Sequence, residues 1–272
     1  MHKEYSNIRS GGITTKNRVL LDKLNREAKN PFGIAEVSSI LGLPLKKATR
    51  LVAYWVSRGW LARIKSGLFI TVPLGAISPG ERKEDPWVVA TMVFEPCYIG
   101  GWSACEHWGL TEQIFNDIVV FTSHKVRHKR NEVQGTVYIV RSIKDEKMFG
   151  VKPVWRAQTK VNVSDPSRTI ADILSAPSLG GGIRNVASIL REYFSGDEKN
   201  EKDLLNYLSK LENGTAYKRL GFLLEHLKVD SPILIEACKK NITLGYSRLD
   251  PGLPKKGSII NRWNLMINSA IA

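Results

Sequence analysis

The stretch Pro31-Phe32-Gly33-Ile34-Ala35-Glu36-Val37-Ser38-Ser39-Ile40-Leu41-Gly42-Leu43-Pro44 decides the fold, together with Leu61-Ala62-Arg63-Ile64-Lys65-Ser66-Gly67-Leu68-Phe69-Ile70 beyond it. Residues 34–41 predict a short helix with Val37, Ile40 and Leu41 on its inner face. Gly42 suits the left-handed position that ends a helix, and Pro44 suits the first turn of the next one. Leu45, Ala48, Leu51, Val52, Trp55 and Val56 then recur at helical spacing and form one apolar stripe. Lys46, Lys47, Thr49, Arg50, Ala53, Tyr54 and Ser57 are left for the opposite face. Gly59 ends this helix, and Lys65-Ser66-Gly67 reads as a three-residue hairpin loop with glycine last, where a positive φ is needed.

A short helix, a glycine-centred corner, a second helix and a basic hairpin are the parts of a winged helix-turn-helix. In that module the second helix enters the major groove by its N-terminal residues, which here are Lys46, Lys47, Thr49 and Arg50, with Tyr54 one turn further on. Arg50 has the planar fork that reads a guanine edge, while Lys46 and Lys47 suit phosphates. Arg63, Lys65 and Ser66 at the hairpin tip suit a neighbouring phosphate or the minor groove. Upstream, Thr14 or Thr15 can cap a first helix in which Val19, Leu20, Leu24 and Ala28 recur at helical spacing.

The charge lies where this reading needs it. Residues 1–72 hold thirteen Lys and Arg against four Asp and Glu, a net of +9 in a chain whose total is +14. Concentrating a basic excess in one module is the footprint of a surface that meets a phosphate backbone. At 272 residues and 43% hydrophobic content the chain has room for two domains of ordinary globular composition. No apolar run approaches the ~18 residues of a membrane span, and the start lacks the apolar core of a signal peptide. A cytoplasmic protein with no membrane partner is expected. Cys97, Cys105 and Cys238 lack a C-x-x-C pair and read as reduced, packed thiols; Cys97 and Cys105 with His107 lack a fourth metal ligand.

The expected class is α+β: a winged helix-turn-helix over 1–73, a linker over 74–86, and a second domain over 87–272. The second domain reads as mixed α/β over about 87–164 and mainly helical over about 165–272, so the chain is expected to end in a helical region. Its first part predicts helices at 87–94 and 103–108 and strands at 97–99, 117–121, 136–140 and 159–163. Ser164-Asp165-Pro166 opens a helix, with Arg168 four residues before Asp172 as a local ion pair. Further helices are predicted at 183–194, 202–211, 216–226 and 232–239.

Enzyme-like constellations are few. Gly180-Gly181-Gly182 precedes a helix without the rest of a phosphate-binding loop and reads as a flexible helix entry. His124 and His128 lie four apart, but the cations Lys125, Arg127, Lys129 and Arg130 around them would repel a metal; that run reads as a solvated loop or a secondary polyanion contact. No catalytic residue, metal site or cofactor is assigned.

The chain resembles the AbiEi family, the antitoxins and autoregulators of type IV toxin-antitoxin pairs linked to abortive phage infection. The likeness spans nearly the whole length. It rests on the segment from Arg58-Gly59-Trp60 through Gly67-Leu68-Phe69, on Tyr98-Ile99-Gly100-Gly101-Trp102-Ser103-Ala104 with His107-Trp108-Gly109-Leu110, and on Val163-Ser164-Asp165-Pro166-Ser167-Arg168-Thr169-Ile170-Ala171-Asp172. Tyr217-Lys218-Arg219-Leu220-Gly221-Phe222-Leu223-Leu224 and Tyr246-Ser247-Arg248-Leu249-Asp250-Pro251 follow in order. Departures are Cys105 where the pattern usually has leucine, and Lys65-Ser66 where an arginine often precedes the glycine.

The resemblance implies that the winged helix binds double-stranded operator repeats in its own promoter, through Lys46, Lys47, Thr49, Arg50, Arg63, Lys65 and Ser66. It also implies that the C-terminal domain opposes a nucleotidyltransferase-like toxin encoded beside it, without a stable complex. Two alternatives stand beside it: a regulator whose C-terminal domain binds a protein directly, and an enzyme acting on nucleic acid or on the toxin.

Overall fold

The computed structural model describes residues 13–28, 31–72 and 84–271. Its first element, α1 (Thr15–Glu27), is capped by the Thr14 hydroxyl, which accepts from the Asn17 amide. Leu21 and Leu24 form its buried edge; Val19, expected inside, is 62% exposed. A two-residue strand β1 (Phe32–Gly33) leads into α2 (Ile34–Leu41), and Gly42 ends that helix at φ 62° as its position required. The corner is closed by the Leu43 amide donating to the Ser38 carbonyl (3.0 Å), while the Ser38 hydroxyl donates to the Leu43 carbonyl (2.6 Å).

Next comes α3 (Leu45–Ser57), which buries Ala48, Val52 and Trp55. Leu45 is the exception to the predicted stripe. At the open start of the helix no later turn covers it, and it stays 58% exposed. The Trp55 indole donates to Asn17 Oδ1 (3.2 Å), pinning α3 to α1. Strands β2 (Leu61–Lys65) and β3 (Leu68–Thr71) complete an antiparallel sheet of order β1-β3-β2. Lys65 pairs with Leu68 after a bulge, so the turn is Ser66-Gly67 alone, one residue shorter than the sequence suggested, with Gly67 at φ 79°. Leu24, Phe32, Val37, Ala48, Val52, Trp55, Leu61 and Phe69 share one core.

Most of the expected linker lies outside the described residues. Where the chain reappears, Asp85 already caps α4 (Pro86–Phe94) by accepting from the amides of Trp87 and Val88. The following elements are β4 (Cys97–Ile99), α5 (Gly101–His107), β5 (Ile118–Thr122), β6 (Arg130–Val133), β7 (Thr136–Ser142), β8 (Val151–Arg156) and β9 (Thr159–Ser164). They form a six-stranded mixed sheet of order β6-β7-β5-β4-β9-β8, in which β4 with β9 and β5 with β7 run parallel. One face packs Ile99, Val120, Tyr138, Val161 and Val163 under α4; the other buries Tyr98, Val119 and Phe121 with Leu179.

The helical part is α6 (Pro166–Ser175), α7 (Ile183–Ser195), α8 (Glu201–Leu211), α9 (Gly214–His226) and α10 (Pro232–Asn241). Here the boundaries follow the sequence closely, because caps and apolar periodicity agree. The end of the chain departs from expectation. After α10 come β10 (Ser247–Arg248), β11 (Ser258–Ile260) and β12 (Leu265–Ile267), a small sheet of order β10-β12-β11. Strands of two or three residues are too short to display an alternating pattern. The chain therefore closes on a sheet packed against the helices, with Trp263 and Leu265 entering their core. The architecture is α+β.

Candidate nucleic-acid interface

Burying Ala48, Val52 and Trp55 turns the other face of α3 outward, and Lys46, Lys47, Thr49, Arg50 and Tyr54 are all exposed on it. Lys46, Arg50 and Tyr54 follow one another at intervals of four, so they run along a single ridge. No side chain caps the first turn of α3. Its free amides and two lysines give the helix start a positive field suited to an anion. The Thr49 hydroxyl donates back to the Leu45 carbonyl (2.8 Å), which keeps its lone pairs free to accept. Tyr54 packs edge-on against Trp60 (5.8 Å between centroids), and the Arg58 guanidinium lies 5.3 Å from its ring. Arg58 thus joins this surface. It falls after the apolar stripe ends, and periodicity alone did not single it out.

On the hairpin, Arg63, Lys65 and Ser66 are exposed. Arg63 lies over the Phe69 ring (5.6 Å), directly across the strand pair. Lys65 is engaged elsewhere: its ammonium donates to the Val93 carbonyl of α4 (3.0 Å), and Ile64 packs against the cluster beneath that helix. One side of the hairpin is therefore held by α4 and the cluster beneath it.

In the basic run, Lys125, Arg127 and Lys129 are exposed, and the segment is fixed rather than loose. The Val126 amide donates to Ser142 Oγ (3.1 Å), and that hydroxyl donates to the His124 carbonyl (2.8 Å). Arg130 belongs to β6 and forms an ion pair with Asp117 (2.8 Å), which offsets its charge. Among the described residues no cluster of three or more His, Cys, Asp or Glu side chains could hold a metal. No described helix is long and apolar enough to cross a membrane.

The other motifs converge on buried polar scaffolding. Arg168 Nε donates to Asp172 Oδ1 (3.0 Å), its Nη2 donates to the Tyr98 hydroxyl (2.8 Å), and that hydroxyl donates to Asp172 Oδ2 (2.9 Å). Burial pushes the Asp172 carboxyl up, to about 6, against the pull of the guanidinium. Arg219 donates to the carbonyls of Leu174 (2.8 Å) and Leu249 (2.9 Å), joining the end of α6 to the strand after α10. Burial without a carboxylate in contact lowers its guanidinium to about 10. Asp250 accepts from the Ile183 amide (2.9 Å), capping α7 behind Gly181 and Gly182, whose φ values of 81° and 92° require glycine. The glycine run is a helix entry.

Cys97, Cys105 and Cys238 are buried, unpaired thiols, and burial holds all three above the ordinary thiol range. Compared with known proteins, the chain matches no family model and no curated protein.

Proposed function

We propose that this chain is a sequence-specific DNA-binding autorepressor with antitoxin activity, whose N-terminal unit works as a winged helix-turn-helix. The observation that carries the DNA reading is the exposed ridge of Lys46, Arg50 and Tyr54, flanked by Lys47 and Thr49, on a helix that buries Ala48, Val52 and Trp55 on its opposite face. In this reading α3 enters the major groove, Arg50 reads a base edge, and the two lysines hold phosphates at the helix start. Arg63 and Ser66 meet the flanking backbone from the hairpin. Lys125, Arg127 and Lys129 offer a second phosphate contact from the sheet domain.

The antitoxin half rests on the resemblance in motif order described above. It assigns the partner as a nucleotidyltransferase-like toxin encoded alongside, and the site of action as the C-terminal domain.

The test is anisotropy titration of the full chain on the DNA upstream of its own gene. Binding should weaken steeply with salt, and Arg50→Ala should cost about 1–3 kcal/mol and relax preference at one base pair, with folding unchanged. Salt-independent binding, or an Arg50→Ala protein with unaltered preference, overturns the reading. For the second half, the chain should protect cells that express the adjacent toxin; failure to protect removes the antitoxin assignment and leaves the DNA reading standing.

A further inference from the structure

We propose that the cleft where α1, the start of α4 and the β8–β9 turn meet binds a free α-amino acid with an apolar side chain, its carboxylate on Arg156 and its ammonium on Glu84. The cleft has a volume of about 610 Å³, and Asn25, Glu84, Trp155, Arg156, Gln158 and Thr159 contribute to its walls.

Arg156 is the reason to look for a ligand. Its Nε is buried with no hydrogen-bond partner, the one side-chain nitrogen or oxygen in that condition among the described residues. Buried donors in folded proteins are almost always paired. The rest of this guanidinium, on a half-buried residue that lines the cleft, also has no ion pair or hydrogen bond among the described residues, which leaves its fork open to an acceptor from outside. The guanidinium is also held in place: it lies over the Trp87 ring at 4.3 Å, which fixes the plane of its fork. A planar, pre-oriented guanidinium matches a carboxylate in two parallel hydrogen bonds.

Charge balance selects the ligand class. Among the described residues that line the cleft, one cation, Arg156, stands against two carboxylates, Glu84 and Asp85, with the Lys160 ammonium 5.1 Å from the Trp155 ring at its edge. Asp85 is occupied by the Trp87 and Val88 amides (2.8 and 3.3 Å). The Glu84 carboxylate has no ion pair or hydrogen bond among the described residues. A nucleotide or free phosphate would bring a second negative charge toward these groups. A zwitterion answers both Arg156 and Glu84 with one charge each. Ala28 and Val88 line the cleft with apolar surface, and the Trp155 indole is 61% exposed beside it, a large apolar group open to a ligand side chain. Ala157 takes φ 52° in the two-residue turn between β8 and β9, the positive φ that such hairpins use.

This inference makes no use of DNA binding and stands or falls by ligand binding alone. The experiment titrates the full chain with the standard L-amino acids, following tryptophan fluorescence and thermal melting. The expected result is saturable binding of at least one apolar amino acid, with its N-acetyl and carboxamide forms binding at least tenfold more weakly. Arg156→Met, which still covers Trp87, and Glu84→Gln should each weaken binding at least tenfold, with circular dichroism unchanged. The proposal is overturned by no saturable binding, by equal binding of the N-acetyl form, by tighter binding of a nucleoside monophosphate or inorganic phosphate, or by variants that bind as well as the parent. Should Arg156→Met fail to fold, Glu84→Gln and the two blocked ligands still decide the matter.

Discussion

The Lys65 ammonium donates to the Val93 carbonyl at 3.0 Å, so a cation at the hairpin tip is spent on the last turn of α4. A positive charge at a helix C-terminus is favourable, worth under about 1 kcal/mol at an exposed position. The contact divides the basic residues into two kinds. Lys46 faces solvent with nothing to give up, whereas Lys65 must leave a carbonyl to reach a phosphate. Lys46→Ala should lower the log-log salt slope of DNA binding by about 0.9, the value for one phosphate contact. Lys65→Met should lower it by less and should cost under about 1 kcal/mol of stability. Titrations at several salt concentrations and urea melts measure both, and an equal drop in slope for the two variants would refute the distinction.

Tyr98, Arg168 and Asp172 form a closed buried triangle, so removing one member leaves each of the other two short of a partner. Tyr98→Phe deletes a hydroxyl that both donates to Asp172 and accepts from Arg168. Leaving those partners unmade should cost about 1–3 kcal/mol. Arg168→Met abandons a carboxylate in the interior and should cost more, about 3–5 kcal/mol. Arg168→Met combined with Asp172→Leu should recover part of that loss, since no uncompensated charge remains. Urea denaturation of the three variants checks the order; a double variant less stable than Arg168→Met would contradict it.

Legibility in the sequence tracked how local the determinants are. Gly42, Pro44 and the Ala48-Val52-Trp55 stripe act within a few residues, and the N-terminal unit follows from them. Asp165 with Pro166 and the periodic runs of α7 to α10 mark the helical part for the same reason. Strands β6 and β8 escaped because each lies at a sheet edge, where one face is solvated and alternation is weak: Arg130-Asn131-Glu132-Val133 reads as polar loop. The exposed face of α3 could be read from spacing. The Lys65 contact could not, since it depends on how two parts of the chain dock. The orphaned Nε of Arg156 likewise depends on the approach of Trp87 from a distant helix.

His107 makes the fold sensitive to acid. Its imidazole lies edge-on to Trp87 (5.4 Å) and Trp108 (4.6 Å), and burial, with Arg156 nearby, holds it below the ordinary 6.5. The unfolded chain takes up a proton there before the folded one does, so this group's contribution is complete above 6.5 and is lost as pH falls through the lower folded value. His107→Gln should flatten that part of the stability profile. Urea melts between pH 7.5 and about 5 test it, and an unchanged slope in the variant would place the acid sensitivity elsewhere.

Gly221 lies within α9, where alanine would ordinarily gain about 1 kcal/mol of helix propensity. A Cβ built there would collide with the six-membered ring of Trp263, which is 1% exposed and fixed by its indole donating to Glu225 Oε2 (2.7 Å). The ring cannot retreat without breaking that bond and disturbing the small terminal sheet. Overpacking should win, and Gly221→Ala should destabilise by about 1–3 kcal/mol despite its better propensity. Trp263→Leu in the same chain opens room for the methyl, so the alanine substitution should cost less in that background than alone. A double-mutant cycle by urea denaturation reads the coupling, and a Gly221→Ala protein at least as stable as the parent would show that α9 and the terminal segment do not pack as closely as described.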